Sequence, residues 1–394
     1  MLKISGGRVV TDKIEDKSVY VDGGVIVAVT NDILPFDEQI DLGGKYLSPG
    51  FVDTHVHGGG GYDFLDGTEE AVCGAVDFHL KHGTTSIMPT TCADGFPELI
   101  SSVSTIAAVA REEKTDAHIV GIHLEGPYFA PSQAGAQDPE RLKTPKMEEY
   151  ERLIEAGGGL VRKVSFAPEL DGALEMCEYL TGRGIYSLAG HTDADYDVIS
   201  DAVKRGLSGV THLYSAMSTI TRKGGFRHLG VVESAYIFDE ITAEIIADGC
   251  HLPPELLRYI VKFKGVDKIA LVTDAMRGAG LADGEWTVIG NAEHGVRCIV
   301  EGGVAKMPDR TCFAGSVATA DRLVRVMREM AGCSLVDAVN MMSRNPCRAW
   351  GVKNKGEIKV GYDADLLVFD DSINIEKIFL SSKGRMKIIE NTSN

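Results

Sequence analysis

Between residues 51 and 273 short apolar, strand-like runs recur eight times, at 51–55, 85–90, 119–125, 162–167, 185–190, 208–212, 243–247 and 269–273. Amphipathic, helix-like stretches lie between them, among them 68–82, 96–112, 171–182, 195–205 and 253–263. That alternation is the signature of βα units on a parallel sheet. Eight such units fit a (β/α)8 TIM-type barrel better than an open, doubly wound sheet. No Gly-x-Gly-x-x-Gly follows the first run, which weakens a dinucleotide-binding reading. No internal repeat or low-complexity segment interrupts the pattern.

The two ends read differently. Arg8-Val9-Val10, Ser18-Val19-Tyr20-Val21 and Val25–Val29 are β-rich and punctuated by Asp and Gly, and so are Ala364–Phe369 and Lys387-Ile388-Ile389. The division expected is a small β-sandwich domain built from 1–50 plus 355–394, around a catalytic barrel of 51–354. Forty basic against 57 acidic residues give a net charge of −17. A nucleic-acid or anionic-membrane partner needs a basic footprint, so neither is expected. No apolar run approaches the ~20 residues of a transmembrane helix, and the N-terminus lacks the apolar core of a signal peptide. The eight cysteines form no Cys-x-x-Cys pair, and free thiols in a reducing cytoplasm are expected.

The reacting groups of a barrel sit where its strands end. Run one closes with Asp53-Thr54-His55-Val56-His57, run three with His123-Leu124-Glu125-Gly126-Pro127, run five with Gly190-His191-Thr192 and run six with Thr211-His212-Leu213. Asp248-Gly249-Cys250-His251 follows run seven, and run eight closes with Thr273-Asp274-Ala275. Five of the chain's 11 histidines, His55, His57, His191, His212 and His251, therefore gather at one predicted face. His-x-His on a strand puts both imidazoles on the same side, because side chains alternate. Nitrogen and oxygen donors without cysteine suit one or two catalytic divalent ions (Zn, Fe, Mn or Co) rather than a closed structural zinc. Asp274 is placed to shuttle a proton, and also counts among the candidate metal ligands with Glu125, His191, His212, His55 and His57. His123 and Asp53 are read as supporting residues deeper in the barrel. His79, His82, His118 and His294 are read as lying away from this face.

These residues resemble the amidohydrolase superfamily, and within it the deacetylases of N-acetylated amino-sugar phosphates, over nearly the whole chain. Pro49-Gly50-Phe51-Val52-Asp53-Thr54-His55-Val56-His57-Gly58 is similar to the superfamily's opening motif. Asn345–Gly351 with Gly361–Leu366 is similar to its closing one. His123–Tyr128, Gly190-His191-Thr192, Thr211–Met217, Asp248–His251 and Leu271–Ala275 resemble the deacetylases in particular. Ala167-Pro168-Glu169 stands where the dihydroorotase and hydantoinase branches carry a modified lysine at the fourth strand end. The resemblance implies that Glu125, His191 and His212 hold metal and that His55 and His57 add a second set. It makes Asp274 the acid–base and His251 the partner of the acetyl carbonyl. Ala136, Ser215, Ala216, Phe313, Ala314 and Gly315 then match sugar-contacting positions.

Where the family usually has Asn-Ala-Met, this chain has Ser215-Ala216-Met217, and its Arg-Glu-Pro-Gly is replaced by Thr221–His228. Residues 222–228 hold Arg222, Lys223 and Arg227, one histidine and no acid. Such a patch in an acidic chain suits a sugar phosphate. The implied phosphate grip is Arg222, with Lys223 and Arg227 as rivals, contributed across a homodimer. The expected reaction is hydrolysis of the acetamide of N-acetylglucosamine 6-phosphate. The alternatives are the galactosamine isomer or an unphosphorylated amide and, from another class, a metal-binding barrel without catalysis.

Overall fold

The computed structural model describes residues 1–391. The eight apolar runs form eight parallel strands: β1 (Phe51–Val56), β2 (Thr84–Thr91), β3 (Ile122–Glu125), β4 (Val161–Phe166), β5 (Tyr186–Ala189), β6 (Leu207–Val210), β7 (Thr242–Ile245) and β8 (Ile269–Leu271). They pair in chain order, so the expected (β/α)8 barrel is borne out. The third run is broken at Val120-Gly121, leaving His118–Ile119 as a separate short strand on β2. Between β8 and β1 the barrel is joined by isolated bonds: the Asp274 amide donates to the His55 carbonyl at 2.9 Å, and Thr273 donates its hydroxyl to Asp53 at 2.5 Å.

A helix follows each strand: α1 (Glu69–Leu80), α2 (Phe96–Arg111), α3 (Met147–Ala156), α4 (Ala173–Gly182), α5 (Tyr196–Lys204), α6 (Val231–Ile237), α7 (Pro254–Lys264) and α8 (Ala320–Glu329). Local chemistry starts several of them. Thr68 and Asp195 accept from the amides of Ala71 and Val198, each at 3.2 Å, which satisfies otherwise orphaned donors. Pro97 and Pro254 open α2 and α7, where a missing amide costs nothing. The apolar faces of the helices bury Val72, Val76, Val103, Ile106, Leu153, Leu180, Ile199 and Leu257 against the barrel wall.

Strands from both ends of the chain form two further sheets. Val25–Thr30, Ser18–Asp22, Leu2–Ser5 and Glu38–Asp41 make one of four strands. Arg385–Glu390, Ile375–Ser382, Leu366–Phe369, Tyr46–Pro49, Arg8–Val10 and Ile14–Glu15 make one of six. The central strands of the six-stranded sheet, Leu366–Phe369 and Tyr46–Pro49, are buried on both faces, and the alternation shows how. Val9, Leu47, Leu366 and Val368 join Ile4, Val19 and Ile26 in a small core between the sheets. Their neighbours Val10, Tyr46, Leu367 and Phe369 join the large core of the barrel.

One feature departs from the simple repeat expected over 51–354. Between β8 and α8 the chain inserts an antiparallel sheet of Trp286–Ile289, Val296–Val300, Val304–Lys306 and Phe313–Ser316. Its last strand is stitched to the end of β8: Ser316 donates to the Asp274 carbonyl at 2.9 Å, and Met276 donates to Ser316 at 3.0 Å. A hairpin, Thr221–Lys223 with Phe226–His228, leaves the barrel between β6 and α6. Among the described residues no helix is long and apolar enough to cross a membrane.

Candidate metal centre and active-site cavity

The ends of the strands deliver their polar side chains into one open cavity of about 240 Å³. Its lining includes His57, Glu125, Gly135, Ala136, Gln137, His191, His212, Ser215, Ala216, His251, Asp274, Phe313 and Gly315. That is room for a monosaccharide-sized ligand. Four of these residues hold backbone that non-glycine residues rarely adopt, Ala216 with φ of 49° among them. His191, His212 and Asp274 have φ of 48°, 32° and 47° as the chain turns sharply off β5, β6 and β8. Such conformations cost about 1–3 kcal/mol each. Neighbouring bonds hold them in place: Ala130 donates to the His191 carbonyl at 3.0 Å, Leu213 to the Glu244 carbonyl at 2.7 Å, and Asp274 to His55.

The imidazoles converge on Glu125. Its Oε1 lies 3.2 Å from His212 Nε2, 3.6 Å from His191 Nε2 and 3.4 Å from His55 Nε2, and its Oε2 lies 3.3 Å from His57 Nε2. His55 and His57 stand 3.3 Å apart at Nε2, and His191 and His212 stand 3.2 Å apart. Two donor groups result, His55–His57–Glu125 and Glu125–His191–His212, all buried and sharing one carboxylate. Donors around a tetrahedral ion with ~2.1 Å bonds lie about 3.4 Å apart, so these separations fit a small divalent cation. The outward nitrogens support the same orientation. His191 Nδ1 donates to the Gln133 carbonyl at 2.8 Å, His57 Nδ1 meets Cys92 Sγ at 3.1 Å, and His55 Nδ1 faces Glu244 at 3.4 Å. His212 Nδ1 is buried without a hydrogen bond.

The field at this point is strongly negative. Burial would pull His55 toward its neutral form, yet Glu125 and Asp274 outweigh it and hold the imidazole up at about 9. Burial would likewise raise Glu125, and the surrounding histidines keep it well below the ordinary carboxylate range. A field that retains a proton on His55 is one that a divalent cation satisfies better, since both compete for the same lone pair. The residues present therefore fit a divalent ion.

Asp274 belongs to neither donor group. Its Oδ1 sits 3.1 Å from His57 Nε2 and 3.3 Å from His55 Nε2, on the cavity wall. His251 faces the same cavity; its Nδ1 donates to Asp248 Oδ2 at 2.8 Å, and its ring meets Phe313 edge-on at 4.8 Å. Ala136, Ser215, Ala216, Phe313 and Gly315 line the cavity as expected positions of sugar contact. Ala314 does not: on a strand its methyl points the opposite way, into a small core with Met276, Cys298 and Ala305. Arg222, Lys223 and Arg227 do not line it either; they stand exposed on the hairpin. His294 is closer than expected, with Nε2 3.1 Å from both oxygens of Asp94, in a neighbouring cleft that shares Ala136, Gln137 and Ile289.

Beneath the donors lies a buried polar layer. His123 Nε2 pairs with Ser165 Oγ at 2.7 Å, Ser165 with Thr211 at 2.6 Å, and His123 Nδ1 with Thr90 at 3.3 Å. The His123 ring packs edge-on against His55 at 4.6 Å. Burial pushes Asp53 up to about 6 while the hydroxyl and amide of Thr273 donate to it. Sequence reading missed Gln137, whose amide donates to Glu125 Oε2 at 3.0 Å while its Oε1 accepts from Ala93 at 2.7 Å. It also missed Cys92 and the buried pair Lys163–Glu244. A charged residue inside each of two apolar runs was the available signal for that pair.

Buried imidazoles and carboxylates converging at the C-terminal mouth of a (β/α)8 barrel define a metal-binding hydrolase of the barrel class. The chain belongs to the amidohydrolase family, whose model matches residues 46–390. It is 34% identical over 401 residues to an N-acetylglucosamine-6-phosphate deacetylase of Bacillus subtilis, covering 98% of this chain and 97% of that one. An N-acetylgalactosamine-6-phosphate deacetylase of Escherichia coli is 28% identical, over 95% and 97% of the two chains. Among solved structures, N-acetyl-D-glucosamine-6-phosphate deacetylase of Mycobacterium smegmatis superposes with a TM-score of 0.89 at 32% identity, over 98% of this chain and 100% of that one.

Proposed function

We propose that this chain hydrolyses the acetamide of an N-acetylated amino-sugar 6-phosphate, with N-acetylglucosamine 6-phosphate as substrate and glucosamine 6-phosphate and acetate as products. One observation carries the reading: two donor groups sharing Glu125 open on the same cavity as Asp274 and His251. His55, His57, Glu125, His191 and His212 are the residues for one or two ions of Zn, Fe, Mn or Co. When bound, such an ion supplies a polarised carbonyl and a water acidic enough to attack near neutral pH. Asp274 accepts the proton of the attacking water and returns it to the amide nitrogen as the C–N bond breaks. His251 faces the carbonyl oxygen, with its ring oriented through Nδ1 by Asp248. Phe313 and the Ser215-Ala216 turn shape the sugar site.

The phosphate has no cation in this cavity, since none of the described residues lining it is Lys or Arg. Arg222, with Lys223 and Arg227 beside it, is assigned this role from a second copy in a homodimer. Support comes from the hairpin's exposure, which extends to Phe226 beside its Gly224-Gly225 turn, 76% exposed. The eight free cysteines suit a reducing cytoplasm. The galactosamine isomer is the second reading, favoured by the Escherichia coli relative. Metal analysis coupled to assays of both isomers, each with and without phosphate, tests the assignment. Equal rates on phosphorylated and unphosphorylated sugars overturn the phosphate site, and no hydrolysis by the metal-loaded protein overturns the whole reading.

A further inference from the structure

Lys163 on β4 and Glu244 on β7 meet inside the barrel, and both are fully buried. Two strands separate β4 from β7 in the sheet, so the pair crosses the interior. The Lys163 ammonium is bonded to Glu244 Oε1, donates to the Thr54 carbonyl at 2.8 Å and lies 5.4 Å from the ring centre of Trp350. Burying two charges costs several kcal/mol each, and an apolar pair of the same volume is often at least as stable. Fold stability is therefore a weak account of this pair.

Its other contact is informative. Glu244 Oε2 faces His55 Nδ1 at 3.4 Å. A carboxylate behind an imidazole accepts a hydrogen bond from Nδ1–H and so leaves the Nε2 lone pair facing the metal site. No other imidazole of the cluster has such backing. His57 has a thiol behind it and His191 a neutral carbonyl, and His212 Nδ1 is unbonded. The charge thus supports one donor group and not the other.

We propose that Glu244, anchored by Lys163, is a positioning residue that makes cation binding at His55–His57–Glu125 depend on a buried carboxylate, whereas binding at Glu125–His191–His212 does not. This rests on the reading that the two groups hold cations. Glu244→Gln keeps the shape and removes the charge, and Lys163→Met with Glu244→Leu replaces the whole pair by apolar side chains.

Each protein, freed of metal and shown to be folded by circular dichroism and a thermal melt, is titrated with Zn²⁺ against a competing chelator and with Co²⁺ followed by its visible absorption. The expected result is one class of site weakened about 10–100-fold in both variants, with the other within about twofold. The double variant keeps the wild-type melting temperature or exceeds it, which separates the effect from loss of structure. Unchanged affinities overturn the proposal, and so does an equal fall of both. If the wild type takes up a single ion, His55→Ala and His191→Ala variants say which group holds it: weakening at His55–His57–Glu125 supports the proposal, while indifference there, weakening at Glu125–His191–His212, or a first group that holds no ion overturns it. A wild type that binds neither metal overturns instead the reading on which the proposal rests.

Discussion

The amide of Asp274 donates to the carbonyl of His55 at 2.9 Å, and the Asp274 carboxylate lies 3.3 Å from the Nε2 of that same residue. That backbone bond, with the His57 amide donating to the Ala275 carbonyl at 2.8 Å, closes the barrel between its last and first strands and sets the proposed acid–base against the metal donors. Because the Asp274 backbone is already in a costly left-handed conformation, this bond also keeps the carboxylate from relaxing away.

Asp274→Asn keeps the shape but cannot take a proton. Metal content should stay at the wild-type value while kcat on N-acetylglucosamine 6-phosphate falls about 10²–10⁴-fold. A fully metallated variant with near-normal turnover rules out the shuttle.

Glu125 is common to both donor groups. Glu125→Gln should lower the affinity of every bound ion together, and dialysis against a chelator should strip the variant before the wild type. Elemental analysis that finds one ion held as tightly as before contradicts a shared ligand.

Arg222 is exposed and far from catalytic chemistry within its own chain. Loss of a charge-assisted bond of about 1.5–3 kcal/mol raises KM for the phosphorylated sugar roughly 10–100-fold. Arg222→Ala should show that rise and leave the rate on unphosphorylated N-acetylglucosamine unchanged. Steady-state kinetics on the two sugars decide it, and an equal effect on both removes Arg222 from the phosphate site.

His79 is fully buried behind the first strand, and its Nε2–H donates to the Gly58 carbonyl at 2.8 Å. Burial pushes it down to about 4 from its ordinary 6.5. Between those values the unfolded chain binds a proton that the folded chain refuses, so stability falls as pH drops from 6.5 to 4, by up to about 3 kcal/mol. Urea unfolding at pH 7, 5 and 4 should show that loss, and His79→Gln should flatten it. An identical slope in the variant assigns the acid sensitivity to other groups.

The barrel was legible in the chain because buried parallel strands are nearly continuous apolar runs, and six of the eight were closed or followed by a recognisable polar residue. Period-two alternation was enough to put His55 and His57 on one face. The sheet over 286–316 was not legible, because its strands are short, half-exposed and cut by glycine turns, so its alternation carries little signal. The same irregularity hid the parity that turns Phe313 and Gly315 to the cavity and Ala314 away from it.

The amino-acid order by itself determined which side chains stand at which strand ends, since that depends only on local spacing. Tertiary structure alone decided which of them meet. Gln137 reaches Glu125 through a loop with no repeat, and Lys163 finds Glu244 81 positions further along the chain. Such contacts depend on the register and twist that the closed sheet imposes on every strand at once, and no local pattern encodes them.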